Sequence, residues 1–148
     1  MSEHPRLAEQ LCYSIYSASL AIKRLYKPLL DEMGVTYPQY LVLNVLWEQG
    51  ELMISQIAET LALETSTLTP LLKRLENEGF VCRKRSLEDE RKVLITLTEK
   101  GELLEKTSLC LSETLLCRSG LEGDAVQQLN EKIIQLRNSI AEQEASEN

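Results

Sequence analysis

Between Ile54 and Leu97 the hydrophobic period of the chain changes, and that change restricts the fold more than any other feature. From Ile54 to Leu61, and again through Leu68, Leu71, Leu72 and Leu75, apolar residues recur at three- and four-residue steps, as on a helix with one buried stripe. From Phe80 to Arg85 and from Lys92 to Leu97 the pattern shifts to the two-residue period of a strand, around the polar tip Ser86 to Arg91. Two short helices joined only by Ala62-Leu63-Glu64, followed at once by a hairpin, predict a helix-turn-helix carrying a wing.

The flanking segments are helical. Leu7, Leu11, Ile15, Ala18, Ile22, Leu25 and Leu29 predict one helix from Leu7 to about Leu30, with Gly34 as its stop. Thr36 reads as the cap of a second helix, with Pro38 in its first turn and Gly50 at its end. Thr65 or Ser66 is expected to cap the helix that runs to Glu78. Thr98 is expected to cap a fifth helix reaching about Cys117. Gly123-Asp124 opens a last helix through Val126, Leu129, Ile133, Leu136 and Ile140, and the acidic tail Glu142 to Asn148 is expected to fray. The predicted fold is mainly α, a single domain over 1–148. A winged helix-turn-helix lobe covers about 54–97, and dimerisation helices cover about 7–34 and 98–144. The outer helices carry more apolar residues than a monomer of this layout can cover, which predicts a twofold dimer.

Charge decides which partners are plausible. The chain carries −7, which argues against sequence-blind coating of nucleic acid. Between Thr65 and Lys92, however, seven basic residues face five acids, so that segment is +2 and the remainder −9. A basic island on an acidic body is the footprint of a localised DNA contact. No run of about 18 apolar residues suggests a membrane span, and the first residues lack the basic start and apolar stretch of a leader, so the cytoplasm is the expected compartment. The four cysteines, Cys12, Cys82, Cys110 and Cys117, form no CxxC, and His4 is the single histidine; neither a metal site nor a cofactor is expected. A static disulfide framework is not expected in a reducing compartment.

A helix-turn-helix lays its second helix in the major groove. That helix opens Thr65-Ser66-Thr67-Leu68-Thr69-Pro70, whose outward hydroxyls suit phosphates and base edges, and Lys73 and Arg74 can reach phosphates. Lys84 and Arg85 extend the basic surface along the first wing strand. At the tip, Arg91 can enter a minor groove, where narrow A·T tracts concentrate negative potential. Asp89, two residues earlier, is expected to hold the guanidinium through a bidentate bond.

The stretch Arg83 to Gly101, with Ser86-Leu87-Glu88-Asp89-Glu90-Arg91 at its centre, resembles the wing and following helix of the MarR family of regulators. Gln10-Leu11-Cys12-Tyr13, Tyr26-Lys27-Pro28-Leu29-Leu30 and Thr36-Tyr37-Pro38-Gln39-Tyr40 resemble its OhrR-like branch of organic hydroperoxide sensors. The likeness covers about Leu7 to Leu104. It implies a dimeric repressor, not an enzyme, that leaves operator DNA when Cys12 is oxidised to a sulfenic acid. It also implies that Tyr26 and Tyr37 bond the Cys12 sulfur, that Tyr16 lines the pocket, and that a second cysteine near the end of the fifth helix, in the other subunit, captures the oxidised sensor. The chemistry is coherent. A thiolate is the nucleophile that attacks a peroxide oxygen, and phenol donors favour the charged sulfur.

Cys110 and Cys117 both stand near the end of that helix, and Cys117 holds the matching position. Seven residues apart, they are roughly 10 Å apart along one helix, so Cys12 cannot be poised for both. Cys117 stands beside Ser119-Gly120, where the backbone gives way cheaply. Cys82 is expected to be a packed strand residue. The competing readings are a MarR-type repressor released by a small aromatic acid without thiol chemistry, and a thiol peroxidase, for which no peroxidase motif or reductant site is present.

Overall fold

A computed structural model describes residues 3–147. A single 3-10 turn, Leu7–Glu9, precedes α1, Leu11–Met33, so the first helix is not continuous from Leu7. Gln10 between them is extended, at φ −88° and ψ 118°. There follow α2 (Tyr37–Gln49), β1 (Leu52–Met53), α3 (Ile54–Leu61), α4 (Thr65–Asn77), β2 (Val81–Arg85), β3 (Val93–Leu97), α5 (Glu99–Arg118) and α6 (Gly123–Glu147).

The helix ends follow from local chemistry. Gly34 closes α1 in the left-handed region at φ 76°, which only glycine adopts without cost. Thr36 caps α2 by accepting the Gln39 N–H at 3.3 Å, and the Gln39 side chain accepts the Thr36 N–H at 2.9 Å. This reciprocal box starts the helix at the predicted place. At α4 the expectation fails. Thr65 is the first helical residue, the cap is Glu64, and no side chain caps it. The Glu64 carbonyl accepts the Thr67 and Leu68 N–H groups, at 3.0 and 3.1 Å. The tight turn before it, with Ala62 left-handed at φ 54°, places Glu64 rather than a hydroxyl at the helix entry. At the other end of the chain, helix persists through Glu147, so the acidic tail does not fray over the described residues; Asn148 lies outside them.

The chain divides into two compact units, residues 1–110 and 111–148. In the first, α2 is the central element: Val42, Leu43 and Leu46 are at most 1% exposed. Ile57 of α3, Leu68, Leu72 and Leu75 of α4, Phe80, Val81 of β2 and Ile95 of β3 complete this core. The wing is a three-stranded antiparallel sheet in the order β1-β3-β2, not a two-stranded hairpin alone. Leu52 pairs with Ile95 and Met53 with Leu94, tying the wing to the start of α3. In the second unit α6 buries none of its residues, and Leu129, Ile133 and Ile140 are exposed. Leu7, Leu11 and Tyr16 at the start of the chain are more than half exposed as well. Among the described residues, no helix is long and apolar enough to cross a membrane.

Candidate nucleic-acid interface and thiol site

The outer face of α4 is built by helical spacing. At about 100° per residue, Thr65, Ser66, Thr69, Pro70 and Lys73 fall within an arc of roughly 140°, opposite the buried Leu68, Leu72 and Leu75. All five are exposed, as are Thr67 and Arg74 on the flank of this face. Because Glu64 enters the helix without a side-chain cap, the Thr65 and Ser66 hydroxyls are not consumed in capping. The Thr69 hydroxyl donates to the Thr65 carbonyl at 2.8 Å, which leaves its oxygen as an outward acceptor.

The strand β2 carries Lys84 and Arg85, both exposed. Lys84 lies 3.5 Å from Glu51, and Arg83 lies 2.9 Å from Glu76. Two acids outside the wing thus hold two of its basic groups in place. Both pairs are substantially solvated, so their value is positional rather than energetic.

At the wing tip the bond between Asp89 and Arg91 differs from the expected fork. One carboxylate oxygen, Oδ1, accepts both the Arg91 backbone N–H at 3.0 Å and the Arg91 Nε–H at 3.4 Å. A partner only two residues away reaches the near edge of the guanidinium, and the terminal nitrogens stay available. The Arg91 side chain is 93% exposed and Asp89 is half-buried.

The root of the wing is clamped to the end of α4 and the start of α5. The Thr98 hydroxyl donates to the Gly79 carbonyl and accepts the Gly101 N–H. Lys100 donates to the Glu78 carbonyl at 2.8 Å with its ammonium 4.4 Å from the centre of the Phe80 ring. The Trp47 indole N–H donates to the Gly101 carbonyl at 2.9 Å, bridging α2 to α5. Gly101 packs directly on the Phe80 backbone, where a Cβ would collide with the carbonyl oxygen.

The thiol residues are distributed differently. Cys12 is exposed in the first turn of α1, and Tyr16, one turn on, is 62% exposed. Tyr26 is buried further along the same helix, and its ring centroid lies 6.1 Å from that of Tyr37 in α2. The chain therefore brings Tyr26 and Tyr37 together but does not bring them to its own Cys12. Fourteen residues along one helix separate Cys12 from Tyr26 by about 21 Å. Burial, and secondarily the neighbouring Tyr40 and Tyr37, push the Tyr26 phenol up to about 12. Burial and Tyr40 raise Tyr37 as well. Both phenols thus remain protonated donors at neutral pH. The stack continues through Tyr40, 6.0 Å from Tyr37, to Trp47, 6.2 Å from Tyr40. Neither Tyr40 nor Trp47 was expected from the sequence as a site residue, although Tyr37 and Tyr40 share a helical face.

Cys117 is exposed near the end of α5. Cys110 is half-buried, and its thiol donates to the Thr107 carbonyl at 2.8 Å. Cys82 is exposed rather than packed, with its sulfur 3.1 Å from the Thr96 hydroxyl. Val81 takes the inward position at the start of β2, so Cys82 turns outward.

A short helix pair, an outward hydroxyl face and a clamped basic wing define a winged helix-turn-helix regulator. Comparison with known proteins agrees. The family described as transcriptional regulator SarA/Rot matches residues 24–107. The organic hydroperoxide resistance transcriptional regulator of Bacillus subtilis is 44% identical over 138 residues, covering 93% of this chain and 94% of that protein. AbfR of Staphylococcus epidermidis, solved reduced and bound to DNA, superposes with a TM-score of 0.77 at 37% identity, over 92% of this chain and 95% of that one. The disulfide form of AbfR superposes at 0.67 and 38% identity, over 93% of each chain. The chain belongs to the MarR family of transcriptional regulators, on the branch of the organic hydroperoxide regulators.

Proposed function

We propose that this chain is a cytoplasmic, redox-sensing repressor that binds operator DNA as a homodimer and is released when organic hydroperoxides oxidise Cys12. The Thr65–Lys73 face of α4 enters the major groove, with Thr67 and Arg74 at its flank, and Arg91, backed by Asp89, enters the minor groove. Lys84 and Arg85 follow the phosphates beside the wing. In a twofold dimer the exposed apolar residues of the first and last helices cover one another.

The observation that carries the thiol reading is the separation of Cys12 from the protonated phenol pair. If Tyr26 and Tyr37 are to bond the sulfur, they must do so across the dimer, because within one chain α1 holds Cys12 about 21 Å from Tyr26. Their protonated hydroxyls are suited to donate to a thiolate. Tyr16 lines the pocket. The Cys12 thiolate attacks the peroxide oxygen, giving a sulfenic acid and releasing the alcohol. Condensation with the Cys117 thiol of the other subunit then forms the disulfide and expels water. The exposure of Cys117 and its place beside the left-handed Gly120 favour it over Cys110, whose thiol is engaged within its own helix turn. Release by a small aromatic acid is not favoured, because the relatives at 37–44% identity include a hydroperoxide regulator and a protein solved in reduced and disulfide forms.

A gel shift tests this reading, using a duplex selected from a random pool on the reduced wild-type protein. Cumene hydroperoxide should release wild type and leave Cys12→Ser bound. Equal release of both proteins would rule out Cys12 as the sensor.

A further inference from the structure

We propose that Leu87, at the apex of the wing, is a DNA contact that lies against the sugar wall of the minor groove beside Arg91. This rests on the wing reading above and adds to it an apolar contact that no basic residue supplies.

Leu87 is 94% exposed, far beyond the other exposed large apolar side chains, the next being Leu103 and Tyr16 at 62%. A single exposed leucine is ordinary, so exposure alone decides nothing. Its placement does. The tip around it is organised by its own hydrogen bonds. The Ser86 N–H donates to the Lys92 carbonyl at 2.9 Å and the Lys92 N–H to the Asp89 carbonyl at 3.0 Å. The Ser86 hydroxyl accepts the Glu88 and Asp89 N–H groups at 3.3 and 3.4 Å. Leu87 therefore projects from a turn anchored on both sides rather than from a loose loop. The strand register ends at Arg85 and Val93, one further bond joins Ser86 to Lys92, and Leu87 and Arg91 both stand in the short turn beyond it, exposed to solvent. With Leu87 94% exposed, and the Arg91 side chain 93% exposed four residues on, the tip presents an apolar and a cationic group from one short turn.

Double-stranded DNA fits this pairing. The tip continues the basic surface of Lys84, Arg85 and Lys92, which favours a polyanion. Minor-groove proteins frequently combine a cation with an apolar side chain, which in many of them wedges between base steps. The neighbouring Glu88 carboxylate limits the depth, because it must stay in solvent, away from phosphates. Leu87 accordingly rests on the deoxyribose wall without entering the base stack.

Fluorescence anisotropy on the selected duplex, across a salt series from about 50 to 200 mM, tests the proposal with wild type, Leu87→Ala, Leu87→Met and Arg91→Ala. Leu87→Ala should bind about five- to tenfold more weakly, as expected for uncovering much of one leucine, and Leu87→Met should restore most of the loss. The slope of affinity against salt should not change, since no charge is removed. Leu87 touches nothing that folding needs, so the melting curve should match wild type. Leu87→Ala binding like wild type while Arg91→Ala binds weakly would overturn the Leu87 contact and leave the wing reading intact. If neither substitution has an effect, both readings fall. A weakened Leu87→Ala with an altered salt slope would also overturn it, because the loss would then be electrostatic.

Discussion

Replacing Gly101 by alanine should loosen the wing root, and the cost can be worked from the packing. The added Cβ would overlap the Phe80 carbonyl oxygen and stand 3.1 Å from Leu97 Cδ2. The leucine can yield, but the carbonyl is held by the Thr98 N–H at 3.0 Å. Relief requires α5 to slide outward, straining the Thr98–Phe80 bond, the Trp47–Gly101 bond at 2.9 Å and the Gly101–Thr98 bond at 3.2 Å. Overpacking alone costs roughly 1–3 kcal/mol, and each weakened hydrogen bond adds up to about 1 kcal/mol. A total of about 3–4 kcal/mol is a large part of an ordinary domain's stability. For a chain of this size it lowers the melting temperature by roughly 10 °C. Thermal unfolding by circular dichroism at fixed protomer concentration measures this, with Trp47, the single tryptophan, reporting the local change by fluorescence. Gly123→Ala is the control, since nothing lies within 4 Å of its Cβ position. A Gly101→Ala melting point within about 2 °C of wild type, below the shift of even 1 kcal/mol, would refute the packing argument.

Arg91→Ala should weaken operator binding by roughly 1–3 kcal/mol, whereas Lys73→Ala should lower affinity evenly across sequences and reduce the salt slope by about two, one contact being lost from each protomer of the dimer; anisotropy titrations on matched and mismatched duplexes separate the two, and an unaffected Arg91→Ala would remove the wing from the groove. The folded protein holds the Tyr26 proton up to about pH 12, against 10.0 for an ordinary tyrosine. Its contribution is therefore complete below pH 10 and lost as pH climbs towards 12, by about 2–3 kcal/mol. Urea midpoints at successive alkaline pH values should fall less steeply in Tyr26→Phe, and equal slopes would contradict the burial argument. Wild type treated with hydroperoxide should give a covalent dimer on a non-reducing gel that survives Cys82→Ser and disappears in Cys117→Ser; loss in Cys110→Ser alone would make Cys110 the partner.

The linear sequence determined whatever depends on a residue and its near neighbours. The stop at Gly34, the cap at Thr36, the stripe of Leu68, Leu72 and Leu75 and the wing strands were all legible, because cap and turn residues act locally and helical and strand periods record which way each residue faces. Tertiary structure decided what lies between distant segments. A two-residue strand has no period, so β1 emerged only in its pairing with β3. The Trp47–Gly101 bond joins residues 54 positions apart, and the Tyr26–Tyr37 contact depends on the angle at which α2 returns against α1. The Thr65 cap failed for a related reason: the left-handed Ala62 sets where α4 begins, and propensity alone does not contain that geometry. Cys82 looked packable as a small hydrophobe, but its side of the sheet follows from Val81 meeting the core first.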